Sequence, residues 1–218
     1  MSEPSSRGSS RKTARARLEY AEGMNYLAHL HLGGPGREDR LGSLYGDFVK
    51  GSADVWPAGI AAGIRLHRRI DVYTDDHPLV IRAKTRLPAA RRRVAGLLVD
   101  VFFDHCLARL WHDYAEQPLP DFVADCYQTL LEEPELPPRL ARIAPLMARQ
   151  DWLGSYRDFA VLERVVEGMA RRLSRPELLA GAFAELEAAY DGLLADFRDF
   201  YPQLQAFAAA ERAARVSS

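Results

Sequence analysis

Apolar residues recur every three to four positions along most of the chain, and that spacing predicts one helix after another. Residues 24–32 (Met-Asn-Tyr-Leu-Ala-His-Leu-His-Leu) are short and mostly apolar. A helix is favoured there, although Leu30 and Leu32 also alternate with His29 and His31 as in a strand. Gly33-Gly-Pro-Gly36 is a loop. Asp39 to Lys50 is predicted as a helix. The next starts with Asp54 or Val55 near its cap and Pro57 in its first turn, and runs to about Thr74, where Asp76-His-Pro78 stops it. A short helix covers Leu79 to Thr85, ended by Pro88, and Arg91 to Tyr114 is the most apolar of the early helices. Asp121 to Glu133, Pro138 to Met147, Asp158 to Arg172 and Pro176 to about Val216 complete the series, with Pro202 expected to kink or divide the last. No strand-length alternation follows residue 36, and there is no repeat or linker. The expectation is an all-α, single-domain helical bundle.

Composition narrows the function. A chain of 218 residues, 48% of them hydrophobic, can bury a sizeable core. A formal net charge of -1 argues against general nucleic-acid binding. No apolar run long enough to span a membrane and no signal-peptide core is visible. Cys106 and Cys126 lack zinc-site spacing, and Cys106 lies within an apolar helical pattern. A buried free thiol and a reducing, cytoplasmic compartment are expected. Residues 1–23 differ: Ser5 to Ser10 is polar, and Arg11-Lys-Thr-Ala-Arg15-Ala-Arg17 is basic. A disordered basic tail is expected, or an overlong start with Met24 as the first residue of the domain at 24–218. Contact of the tail with an anionic partner is the alternative.

The candidate chemistry lies in the first half. All 6 histidines fall between His29 and His112, interleaved with Asp47, Asp71, Asp100 and Asp104 in apolar surroundings. Carboxylates and imidazoles are costly to bury without partners, and a metal ion would serve as one. His67 and Asp71 are four apart and share a helix face, as do Asp100 and Asp104. A divalent cation would relieve both the repulsion and the burial of the Asp100–Asp104 pair; pairing with Arg65, Arg68 or Arg69 is the structural alternative. His105 diverges from Asp104 by about 100°, yet both can reach one ion between packed helices. Asp47 has buried-looking neighbours, and Gly46 allows another backbone to approach closely. Nitrogen and carboxylate donors without thiolate suit Mn, Fe, Zn or Mg. Arg68 and Arg69 could clamp phosphoryl oxygens, or pair with Asp47 or Asp71. His29 and His31 point about 200° apart on a helix, so at most one should face the site. His77, before a proline, is expected to be structural, and His112 solvated. Arg82, Lys84, Arg86, Arg91, Arg92 and Arg93 form a basic stretch with no acidic residue between His77 and Val99. It is either a solvated face or a surface for an acidic partner.

Several motifs resemble one family. Met24-Asn-Tyr-Leu-Ala-His-Leu-His-Leu, Gly46-Asp-Phe-Val-Lys-Gly51, Gly63-Ile-Arg-Leu-His-Arg-Arg-Ile-Asp71, Thr74-Asp-Asp-His-Pro78 and Asp100-Val-Phe-Phe-Asp-His105 look like acyl carrier protein phosphodiesterases. Trp152-Leu-Gly-Ser-Tyr-Arg-Asp158 and Gly168-Met-Ala-Arg-Arg172 fit the same family, and the resemblance runs from Met24 to about Pro202. It implies an HD-phosphohydrolase-like helical enzyme that hydrolyses the phosphodiester between 4'-phosphopantetheine and a serine of holo-acyl carrier protein. The products are apo-carrier and 4'-phosphopantetheine, and the cofactor is a divalent metal, typically manganese. The order here is Asp104-His105 rather than His-Asp, so the ligand pattern of the wider superfamily does not transfer residue by residue. The expected metal ligands are Asp47, His67, Asp71, Asp104 and His105, with a metal-activated water attacking phosphorus. Arg68, Arg69, Asp100 and His29 are assigned to catalysis, and the basic stretch to docking the acidic face of the carrier. The competing readings are a phosphohydrolase of nucleotides or small phosphomonoesters, and a non-catalytic carrier-binding helical module.

Overall fold

The computed structural model describes residues 26–216, and every regular element among them is helical. The helices are α1 (Tyr26–Gly33), α2 (Arg37–Tyr45), α3 (Ala58–Asp76), α4 (Pro78–Thr85), α5 (Ala95–Arg109) and α6 (Leu119–Leu131). They continue as α7 (Pro138–Arg149), α8 (Trp152–Ser155), α9 (Val161–Ala170), α10 (Ala182–Ala188) and α11 (Tyr190–Val216). The basic tail expected at residues 1–23 lies outside the described residues. No helix among the described residues is long and apolar enough to cross a membrane.

α5 is the hub. Leu98, Val99, Val101, Phe102, Cys106 and Leu107 are fully buried, as befits a helix that is apolar all round. α1, α4 and α11 pack directly on it. Both cysteines are free and buried.

Several expected helix boundaries differ. The helix expected from Asp39 to Lys50 ends at Tyr45, and Asp47 lies in the turn that follows it. The run from Arg91 to Tyr114 is not one helix: a 3-10 turn at Ala89–Arg91 precedes α5, and another at Trp111–Asp113 follows it. Arg91 is drawn across to the C-terminal region, where its guanidinium binds Glu185 and the carbonyls of Leu178 and Ala180. At the far end the Trp111 indole donates to the Gln117 carbonyl at 2.7 Å, which turns the chain. The last segment divides at Gly181 (φ 74°), a backbone region where glycine is favoured, and again at Ala189 between α10 and α11, but not at Pro202. α11 continues through Pro202 because Phe197, Phe200, Tyr201 and Leu204 are buried along it. That packing outweighs the roughly 3 kcal/mol that an interior proline costs.

α2 and α3 approach most closely. A side-chain carbon at Gly42 would sit 2.6 Å from the Gly63 Cα and the Ile60 carbonyl, so only glycine fits. This contact brings the C-terminal end of α2, and the loop after it, against the middle of α3.

Candidate metal centre

Three segments converge: α1 carries His29, the loop after α2 carries Asp47, and α3 carries His67 and Asp71 one turn apart. The approach of His67 depends on Gly46, because a side-chain carbon there would collide with the imidazole ring. The expectation at Gly46 is the approach of another backbone; the structure places the His67 side chain there instead.

The His67 ring donates from Nδ1 to the Ser43 carbonyl at 2.7 Å. That bond fixes the tautomer and turns Nε2 towards the carboxylates, an outer contact typical of a metal-binding histidine. His67 Nε2 lies 3.3 Å from Asp47 Oδ1 and 3.3 Å from Asp71 Oδ2. His29 Nε2 lies 3.1 Å from Asp71 Oδ1, and the two imidazoles stack with centroids 3.7 Å apart. His29, His67 and Asp71 each offer a donor atom within 4.8 Å of the others'. The histidines are buried, whereas the Asp71 side chain keeps 47% of its exposure and opens the cluster to solvent.

The carboxylates and imidazoles of the cluster shift one another strongly. Burial alone would lower the His67 pKa, but Asp47 and Asp71 outweigh it and push the ring up to about 10. Burial would raise Asp71, but His29 and then His67 outweigh it and hold the carboxyl well below the usual carboxylate range. His29 Nδ1 and Asp47 Oδ2 are buried without a hydrogen-bond partner, and His29 Nε2 meets only Asp71 Oδ1. Orphaned buried polar atoms are expensive. Beside them, His29, His67 and Asp71 bring nitrogen and oxygen donors together, so the residues present fit a divalent cation such as Mn, Fe, Zn or Mg.

The neighbouring pair on α5 is used differently. Asp104 is fully buried and faces the start of α1, where its two oxygens accept from the Leu27 and Ala28 N–H groups at 3.0 and 2.9 Å. It acts as an N-cap supplied from another helix. Burial pushes its carboxyl well above the ordinary value, against those two bonds. His105 points away: Nδ1 meets the Tyr156 carbonyl at 2.7 Å, and Nε2 meets the Tyr190 hydroxyl at 2.8 Å. With both nitrogens taken, it is not brought to the cluster. Asp100 is half-buried. Burial, with Asp71, Asp75 and Asp47 adding to it against Lys84, pushes its carboxyl up to about 7.

The arginines do not flank these carboxylates as either alternative expected. Arg65 pairs with Asp54 at 2.5 Å. Arg68 donates to the carbonyls of Gly51 (2.8 Å) and Val49 (3.4 Å), tying down the loop that carries Asp47. Arg69 pairs with Glu211 at 2.6 Å and lies over the Phe207 ring. Most of the basic stretch is also engaged internally. Arg82 and Arg86 bind the fully buried Asp196, Lys84 binds Asp75, and Arg91 is the tie to α10 described above. A run of like charge in the sequence thus serves largely to neutralise acids from distant segments. Arg92 and Arg93 are exposed.

The two α1 histidines separate as the helical angle requires. His29 faces the cluster, whereas His31 bonds the Tyr201 hydroxyl at 2.7 Å beside Trp111, and burial lowers its pKa to about 4. His77 caps α4 by accepting from the Leu79 N–H, and His112 is exposed beside Asp113. What the sequence could not supply is the stack of His29 on His67. That stack brings His29, expected in a neighbouring catalytic role, into the candidate triad with His67 and Asp71.

Comparison with known proteins agrees with this picture. Residues 24–204 match the family model described as acyl carrier protein phosphodiesterase. A protein of that name from Enterobacter sp. (strain 638) is 39% identical over 184 residues, covering 83% of this chain and 95% of the relative. Another, from Escherichia coli (strain K12 / DH10B), is 39% identical over 188 residues, covering 84% and 96%. No solved structure matches the chain. The match spans all of the residues that build the cluster, and the chain belongs to the acyl carrier protein phosphodiesterase family.

Proposed function

We propose that this chain hydrolyses the phosphodiester between 4'-phosphopantetheine and a serine of holo-acyl carrier protein. Water adds to phosphorus, the bond to the serine oxygen breaks, and a proton passes to that oxygen. Family membership supports the substrate. The observation that carries the chemistry is the convergence of His29, His67 and Asp71, beside Asp47, with buried donor atoms that have no hydrogen-bond partner.

In this reading those four residues hold a divalent cation, with manganese foremost. The cation supplies Lewis acidity, making water a better nucleophile and offsetting charge on the phosphoryl oxygens. Asp71 offers one oxygen towards each histidine, and the Ser43 carbonyl keeps His67 Nε2 turned inward. Arg68 holds the loop that aims Asp47. Asp100, with a proton affinity near neutrality, is the carboxyl we assign to delivering a proton to the serine oxygen. Asp104 supports α1, and with it His29. The acidic carrier is received by Arg92 and Arg93, the members of the basic stretch with no internal partner among the described residues.

The direct test is intact-mass spectrometry of holo-acyl carrier protein after incubation with the protein and manganese, with and without chelator. The expected result is loss of one phosphopantetheine mass, blocked by chelator. An unchanged carrier mass, with the protein folded and metal-loaded, would overturn the reading.

A further inference from the structure

The metal centre leaves two of the family motifs without a role: the segment from Trp152 to Asp158, and Gly168 to Arg172. Together they border a cavity of about 520 Å³ between α8 and α9, lined by Trp152, Tyr156, Arg164, Gly168, Arg171 and Arg172 among others. None of its lining residues belongs to the metal cluster. No carboxylate lines it. Arg164 and Arg172 have no ion-pair partner among the described residues, and Arg171 has only exposed Glu167 at 4.0 Å.

The arginines are placed by helical spacing. Arg164, Gly168 and Arg171/Arg172 recur at intervals of three or four on one side of α9 and its end. At the centre, Gly168 leaves the floor open: a side-chain carbon there would meet only Arg171 Nη2, at 3.9 Å. The remaining wall is formed by Trp152, Tyr156, Val161 and Val165, with the polar side chains of Gln150 and Ser155 among them. Guanidinium forks recognise planar or tetrahedral oxyanions in pairs of bonds. An aromatic wall adds a surface for an organic body, and the volume is that of a small-molecule site.

We infer that this cavity binds a phosphate monoester carrying an organic body, at a site separate from the metal centre. Two sources share that chemistry: the phosphopantetheine released by the proposed reaction, and an independent nucleotide. Only the choice of the first as a probe rests on the function proposed above.

The experiment is calorimetric titration of the full chain, in chelator, with 4'-phosphopantetheine, adenosine 5'-monophosphate and inorganic phosphate. At least one organic phosphate should bind about tenfold or more tightly than inorganic phosphate, and Arg164→Gln or Arg172→Gln should each weaken it about tenfold. Gly168→Leu fills the floor without removing a charge and should abolish binding while leaving the melting temperature equal or higher, because leucine is the better helix former. His67→Ala should leave binding unchanged. Preference for 4'-phosphopantetheine would identify a product site, and preference for the nucleotide an effector site; either upholds the cavity. No binding of any probe, binding that survives Gly168→Leu, or binding lost in His67→Ala would overturn it. Failure of the hydrolase assay would leave each of these results standing, so the two readings fail separately.

Discussion

α3 and α5 carry nearly the same chemistry in sequence and use it in opposite ways. His67 and Asp71 on α3 are four residues apart among apolar neighbours; so are Asp100 and Asp104 on α5, with His105 adjoining. On α3 the polar groups face one another, His29 and Asp47, and it is on His29 (α1) and Asp47 (the loop after α2) that buried atoms lack hydrogen-bond partners. On α5 the polar groups are satisfied elsewhere: Asp104 by two backbone N–H groups, His105 by a carbonyl and a phenol. Spacing on a helix face decides which side chains stand together. Whether they remain available for a ligand depends on what packs opposite, and for α5 that is the N-terminus of α1 and the residues Tyr156 and Tyr190.

The sharpest way to break this contrast is to remove one member from each helix. His67→Ala and Asp71→Ala should each lower manganese-dependent turnover on the order of a thousandfold, about 4 kcal/mol of transition-state stabilisation. Both should also lower metal content per chain, measured by atomic emission. Full turnover in either variant would remove α3 from the centre. Asp104→Ala should instead appear as lost stability. It strands two buried N–H groups at the start of α1, for about 3 kcal/mol in urea unfolding. Metal content per folded chain should survive. A stable Asp104→Ala chain that had lost its metal would exchange the roles of the two helices.

The same contrast shows how far the sequence could be read. Helix after helix follows from apolar spacing, because the period reports which face is buried. The boundary errors at Arg91 and Pro202 arise where a distant partner intervenes: Arg91 reaching α10, and the packing that carries α11 through Pro202. Within the site, the His67–Asp71 pair on α3 follows from local geometry alone. The joining of His29 and Asp47 to it needs the close contact of α2 with α3 at Gly42 and Gly63, and the open position at Gly46. Glycines mark close approach without saying what approaches. The basic stretch is the converse case: its acids, Asp196, Asp199 and Glu185, lie about a hundred residues away in the chain, so charge in the sequence could not reveal that it is neutralised.

Asp100 stands between the two behaviours, and its titration sharpens the comparison. Burial first, then the charges of Asp71, Asp75 and Asp47, push its pKa up to about 7, with Lys84 opposing. In the unfolded chain an aspartate titrates near about 4. The folded state therefore binds this proton more tightly. The stability it contributes is complete below about pH 4 and is lost as pH rises to about 7. Asparagine cannot ionise, so Asp100→Asn in chelator should match the parent at acid pH and exceed it by about 1–2 kcal/mol above about pH 7. Urea unfolding across that range reads the difference. Turnover supplies the second reading. If Asp100 delivers the proton, the same variant should lose the limb of the kcat profile that falls near neutrality, together with most of the rate. A chain that gains stability but keeps its kcat profile would place Asp100 with Asp104, as a buried acid that serves the fold. A chain that loses the limb would make Asp100 the one residue of α5 that works with α3.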